Sequence, residues 1–332
     1  MPQPSYEYAI GRISVLSTKM LNAAQLRRIS EAPTAKAAMA LLVETGYGEN
    51  LTEEQINSDE IDNVIREQLQ LTRKRIWELT PDPELTGLFL LMVDTHNIKA
   101  LLKARFLGID ASDILRSGGN FELEFLKACI NTKTYDDLPD DYKETLEKIE
   151  NDSTHGIDPL RFSAFLDGAM FRHIKKVLDA RNDHSFVRDY FSLLADSQNA
   201  QSVVRARLMN WDIDKLKLLL IECGEIPFKV FTDNIETPID QLSQKFNIGK
   251  NGGIISSSLA EYAQTNDTTV MKDRKDAELM AILRKVRWDH GTLGPIVGYL
   301  MARETEARAL RLIFGSKQGN VEIDFDLPAM FA

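Results

Sequence analysis

The side chains best placed to do chemistry are the carboxylates of Asp136-Asp137-Leu-Pro-Asp140-Asp141. Carboxylates at that spacing could hold magnesium against a diphosphate, provided they project from a helix and face a second acidic cluster across a cavity. Pro139 interrupts the run, which suits a turn or a helix start rather than a helix interior. No further Asp-Asp pair occurs elsewhere in the chain. The expectation here is a solvated loop. Five histidines, His96, His155, His173, His184 and His290, show no ligand spacing such as His-Glu-x-x-His.

Nucleotide motifs are absent. No Gly-x4-Gly-Lys-Ser/Thr cradle and no Gly-x-Gly-x-x-Gly turn occurs, and Gly249-Lys250-Asn251 lacks both the upstream glycine and the hydroxyl. No serine sits in a Gly-x-Ser-x-Gly elbow. The reading is a protein without catalytic residues, cofactor, metal or direct nucleotide binding. Trp77, Trp211 and Trp288 are expected as core residues or interface anchors.

Composition narrows the class further. The 332 residues are 43% hydrophobic and 27% charged, ordinary values for a globular protein. With 40 Lys plus Arg against 50 Asp plus Glu, the net charge is −10, which disfavours a nucleic-acid partner and flat adsorption on anionic lipid. Apolar runs such as Leu88 to Val93 fall far short of the ~20 residues that cross a bilayer. No secretory signal is visible, and Cys129 and Cys223, 94 residues apart, read as free thiols in a reducing compartment. The sequons at Asn151 and Asn266 are then chance matches.

The elements that must position these residues read as helices nearly throughout. Leu279, Ile282, Leu283 and Val286 share one helical face, as do Phe171, Ile174, Val177 and Leu178. Only Val321, Ile323, Phe325 and Leu327 alternate like a strand. Prolines and glycines punctuate the chain at Pro81 to Pro83, Gly118-Gly119, Gly156 to Pro159, Gly252-Gly253 and Gly291 to Pro295.

A repeat organises these helices. Residues 91–108 match 193–210 at a constant shift of 102, pairing Asp94 with Asp196, Asn97 with Asn199 and Arg105 with Arg207. A weaker third copy begins at Leu300 after a further shift of 107, placing Glu306 at the Asn position and Arg308 at that of Lys99. The preceding helix repeats as well: Leu69, Thr72 and Ile76 answer to Phe171, Ile174 and Leu178, then to Leu279, Ile282 and Val286. The expectation is an all-α single domain over 1–332, built of three helical-bundle repeats at about 1–110, 111–212 and 213–332. Such units can close into a pseudo-threefold body or spread into an arc. The interval from Leu208 to Gly253 matches the earlier units poorly.

Asp94 and Asn97 are neighbours on one helix face, and Arg105 lies three turns beyond. At 1.5 Å per residue Asp94 and Arg105 stand ~16 Å apart, too far to pair with each other. Each must satisfy a neighbouring helix, a unit boundary or a partner; pairing between helices is the preferred reading.

These residues resemble a known family. The opening YEYAIGRISVLSTKMLNAAQLRRISEAPTAKAAMALLVETGYGE, with Arg12 and Glu44-Thr45-Gly-Tyr47-Gly48, is similar to the N-terminus of the C-type stalk proteins of archaeal-type and bacterial V-type ATPases, the d-type proteins of eukaryotes. The Asp-x-x-Asn-Ile-Lys segment at 94–99 and the stretch from Gly294-Pro295 through Tyr299, Glu306 and Arg311 resemble the same family, over essentially the whole chain. The resemblance implies a funnel-like all-α body of three pseudo-equivalent units around an axis. It implies a non-catalytic central-stalk subunit, peripheral on the cytoplasmic face of the membrane. Its partners would be the shaft subunits D and F and the membrane proteolipid ring, with torque passing between them during ATP-coupled H⁺ or Na⁺ transport. An unrelated all-α scaffold and an all-α diphosphate-processing enzyme are the competing readings. The polar positions Asp94, Asn97, Arg105, Asp196, Asn199, Arg207, Glu306, Arg308 and Arg311 are the candidate structural or partner-contact residues.

Overall fold

The computed structural model describes residues 4–47, 61–152, 159–181 and 185–319. Gly48, His155, Gly156, His184 and the alternating segment Val321 to Leu327 lie outside the described residues. Among those described, regular structure is α-helical apart from one short 3-10 turn at Ser112–Ile114. The first helices are α1 (Tyr6–Ser17), α2 (Ala23–Ser30), α3 (Ala35–Glu44), α4 (Ile61–Leu79) and α5 (Pro83–Leu107). Next come α6 (Leu123–Thr132), α7 (Asp140–Asp152), α8 (Pro159–Asp179) and α9 (Ser185–Leu208). Three short helices follow, α10 (Ile213–Leu219), α11 (Phe228–Asp233) and α12 (Ile239–Lys245). The last are α13 (Gly252–Thr265), α14 (Thr269–Val286) and α15 (Gly294–Gly319).

Local chemistry sets the helix ends. Asn22 and Gln25 form a reciprocal capping box on α2, and the Thr34 and Asp212 side chains accept from Ala37 N–H and Lys215 N–H at the starts of α3 and α10. Pro83 and Pro159 stand at the first positions of α5 and α8, where a missing N–H costs nothing. The long helices α5 and α9 stop alike. Gly108 and Asn210 adopt positive φ (66° and 50°), and the next residue donates back to Ala104 O and Ala206 O respectively. These two stops are 102 residues apart, the period of the repeat.

The chain divides into two compact units, with boundaries inside α5 after Phe89 and inside α14 before Leu283. The first unit draws on both ends of the chain, 1–89 and 283–332, with Arg116–Gly118. Within it α15 packs against α1, α2, α3 and α4. Leu26, Ile29, Leu42, Ile65, Leu310 and Phe314 are among its buried apolar residues. In the second unit, Leu90–Leu115 with Gly119–Ile282, α9 is central and meets α8, α10, α11 and α13. The short helices α10 to α12 occupy the interval from Leu208 to Gly253, which matches the earlier units poorly in sequence. By length and composition α5 could cross a membrane, yet 72% of its most apolar window is buried inside the protein. Asp94, Thr95 and Asn97 are buried on the same helix, as suits a core element.

Phe314 is 2% exposed at the centre of the first unit's core. Phe314→Ala should lower unfolding free energy by about 4 kcal/mol, read as a reduced urea midpoint.

Candidate functional site

The repeated polar positions converge on one local arrangement, found three times. In the first, the buried Asp94 carboxylate accepts from Asn120 N–H (2.9 Å), Phe121 N–H (3.3 Å) and Asn120 Nδ2 (2.8 Å). Eleven residues later on the same helix, Arg105 donates to Ile130 O. In the second, Asp196 accepts from Glu225 N–H (3.0 Å) and Ile226 N–H (3.1 Å), and Arg207 donates to Ile235 O and Thr237 O. In the third, Glu306 accepts from Leu21 N–H at 2.6 Å, and Lys317 donates to Ser30 O (2.7 Å) and Ala32 O (2.5 Å).

The spacing is constant. Phe121, Ile226 and Leu21 each stand immediately before the N-cap of a short helix, and Ile130, Ile235 and Ser30 each lie nine residues further on, within two residues of its end. A carboxylate thus grips the entry to a short helix, while a cation eleven residues along the long helix grips its exit. Three full turns put both grips on one face. The cation meets carbonyls that have no intrahelical partner and sits at the negative end of the helix dipole.

These contacts place Glu306 in the register of Asp94 and Asp196 rather than Asn97 and Asn199, three residues from the register that apolar pattern suggests. The third cation is then Lys317, which the repeat alone does not reveal. Asn199 has its own role: its amide donates to Ile221 O (2.9 Å) and accepts from Ile221 N–H (2.8 Å). Asn97 is fully buried on α5. Arg308 is exposed, and Arg311 meets Asp62 at 3.2 Å in a solvent-facing pair, a kind that contributes little.

Two glycines let the backbone reach the aspartates. A Cβ on Gly119 would fall 1.8 Å from Asp94 Oδ1, and one on Gly224 would fall 2.1 Å from Asp196 Oδ1. The third loop has Lys19 at that place. Glu306 carries one more methylene, so its carboxylate reaches the loop without so close a backbone approach. A glycine four residues before a short helix, 25 or 28 residues after the acid, was the readable signal.

Charge is balanced differently at each place. Burial pushes the Asp196 carboxyl up, opposed by its hydrogen bonds from Asn251, Glu225 and Ile226. Burial also raises Glu306, opposed by Arg303, whose guanidinium meets Glu306 at 2.6 Å in a buried pair and also donates to the Tyr299 hydroxyl. Arg105 has a second partner, Glu150, which also accepts from the Tyr135 hydroxyl at 2.9 Å and pairs with Lys133 at 3.1 Å. Burial would raise Glu150, but Arg105, Lys133 and Tyr135 outweigh it and hold its carboxyl below the ordinary glutamate range.

The acidic run behaves otherwise than a metal site. Asp140 and Asp141 open α7 rather than lying in a loop, while Asp136 and Asp137 stand in the turn before it. Asp136 pairs with Lys143 at 2.6 Å, Asp140 with Lys176 at 3.4 Å, and Asp141 lies 3.7 Å from Arg172 and 3.8 Å from His173. Among the described residues no three His, Cys, Asp or Glu side chains converge to hold a metal. Trp77 and Trp211 are half-buried, whereas Trp288 is 70% exposed under the Arg287 guanidinium and is no core residue. In the second unit the ends of the two long helices carry exposed apolar side chains, Leu107 at the end of α5 with Ile109 beyond it, and Leu208 at the end of α9 with Met209 beyond it. Leu107 and Met209 are repeat equivalents.

Known proteins are similar to this chain over most of its length. A model of the ATP synthase (C/AC39) subunit family matches residues 9–324. The chain is 21% identical to the C subunit of the A-type ATP synthase of Methanocaldococcus jannaschii, over 96% of this chain and 84% of that protein. It is 22% identical to the C subunit of the A-type ATP synthase of Pyrococcus furiosus, over 93% and 85%. It is also similar to the C subunit of the V-type sodium ATPase of Enterococcus hirae, at 21% identity over 74% of each chain.

Gly224→Ala should cost about 2 kcal/mol, because the new methyl must displace the Asp196 carboxylate. Gly253→Ala, whose Cβ meets nothing within 4 Å, should be neutral or gain up to ~1 kcal/mol; urea midpoints separate the two. Glu150 holds its charge to lower pH folded than unfolded, so its stabilisation is present above about pH 4.3 and is lost as pH falls through the folded value. Glu150→Gln should cost about 2 kcal/mol at pH 7 and flatten the fall in melting temperature between about pH 5 and 3.

Proposed function

Because the chain belongs to the ATP synthase (C/AC39) subunit family, we propose that it is the non-catalytic central-stalk subunit of a rotary A/V-type ATPase. In this reading it sits on the cytoplasmic face of the membrane, between the shaft subunits D and F and the proteolipid ring, and passes torque during ATP-coupled H⁺ or Na⁺ transport. It is read as one domain of three pseudo-equivalent helical repeats about a common axis, funnel-like in form. The observation that carries the proposal is the family match, which runs from residue 9 to residue 324 rather than over one motif.

The physical chemistry suits the role. A torque-bearing spacer needs stiffness and two protein-binding faces, and needs neither nucleotide nor metal. Close-packed helices supply stiffness because protein interiors are poorly compressible. Gripping a short helix at both ends removes its freedom to slide along the long one. The equivalent apolar tips at Leu107 and Met209 offer matched contacts to a partner with rotational repetition.

Membranes from cells lacking this chain should keep ATP hydrolysis by the soluble head and lose ATP-driven ion uptake, measured with a pH- or sodium-sensitive dye. Returning the chain should restore uptake and bring shaft subunits and proteolipid down together in a pull-down. Normal uptake in the depleted membranes would reject the proposal. The double variant Leu107→Asp, Met209→Asp should keep its melting temperature within about 2 °C, since both side chains face solvent, and should assemble at least about tenfold more weakly.

A further inference from the structure

The third helix grip differs from the others in where its short helix comes from. Asp94 and Asp196 hold segments 27 and 30 residues further along the chain, at Phe121 and Ile226. Glu306 reaches back 285 residues to Leu21, and Lys317 reaches back 287 and 285 to Ser30 and Ala32. The place filled in the other two cases by the chain that follows is filled here by α2, from the opposite end.

We propose that the α2–α3 pair, residues 23–44, is a latch that closes the chain's two ends upon each other and opens as one cooperative piece while the second unit stays folded. Three features support this. The pair is self-contained at its ends: the Asn22–Gln25 box and the Thr34 side chain cap its helices locally, so an opened pair keeps its own N-terminal caps. Its main seat is the long helix α15, which packs against both members, with Ile61, Val64, Ile65 and Leu69 of α4 in the same core. Its hold on that helix is concentrated in two polar grips and one apolar face, where Leu26, Ile29 and Leu42 meet a core with Leu310, Ile313 and Phe314.

The polar grips fix where the latch sits. Leu21 N–H and the Ser30 and Ala32 carbonyls are backbone groups that lose water on closing, so both side chains must be present for the seat to be satisfied. The apolar face supplies the driving force. Opening costs only this local set of contacts, because the α2–α3 seat lies wholly within the first unit.

Hydrogen exchange on the full chain, resolved by peptide mass spectrometry, tests the latch. In the wild type, amides of 23–44 should exchange together, through an opening of lower free energy than that of α9. Lys317→Met should speed exchange of 23–44 by about tenfold or more, leaving α9 and α11 at wild-type rates. Lys317→Arg should keep the wild-type pattern, since it restores donors to both carbonyls. Arg207→Met should do the converse, loosening α11 and sparing 23–44. If Lys317→Met proves too unstable to study, the wild type in sub-denaturing urea decides the matter. Opening of 23–44 only at the urea concentration that opens α9, or an unchanged rate in Lys317→Met, overturns the proposal. So does a rise shared evenly by the whole molecule.

Discussion

A carboxylate buried in a helical core is costly unless donors surround it, and this molecule sets that requirement at three places. Asp94, Asp196 and Glu306 are at most 1% exposed, and each is answered by backbone N–H groups of an entering loop. Much follows from that demand. The loop must approach closely, so glycine stands at 119 and 224. The short helix is then fixed at its entry, and its exit falls nine residues on, where a cation three turns along the long helix meets it. Side-chain length, helix rise and loop composition are mutually constrained, so they vary together, as the Glu306 case illustrates.

Much of this could be read from residue order, and what could not has a physical cause. Asp94 with Asp196, and Arg105 with Arg207, stand at one shift, and the structure gives both pairs the same partners in kind. The third copy slipped because apolar matching in a helix tolerates a three-residue displacement. Residues i and i+3 lie on nearly the same face, so a buried stripe looks alike in either register. Only the polar contacts distinguish Glu306 beside Leu21 from an Asn-like position, and those contacts join ends of the chain that no local pattern connects. Lys317 was hidden for the same reason.

The short helices were illegible for another reason. α10, α11 and α12 have seven, six and seven residues, fewer than two turns of amphipathic pattern, so their periodicity is lost among neighbouring turn residues. At the acidic run 136–141, Pro139 suits a turn or a helix start, and the structure uses both. Asp136 and Asp137 stand in a turn, while Asp140 and Asp141 form a first helical turn where acidic side chains are favoured, so only the expectation of a loop throughout fails. Family membership, by contrast, was visible throughout, because it rests on many weak correspondences over the whole length rather than on any one element.

That one unit is assembled from both ends of the chain has a consequence for biosynthesis. Translation delivers α1 to α4 first and their seat, α15, last. The second unit, contained between Leu90 and Ile282, is complete before α15, which shares a core with Leu26, Ile29 and Leu42, has been made. The nascent polypeptide therefore lacks the α15 share of that core, Leu310, Ile313 and Phe314 included, until the rest of the chain up to α15 has been made. The first unit to emerge is the last to be finished, and the emergence of α15 is the event that permits it.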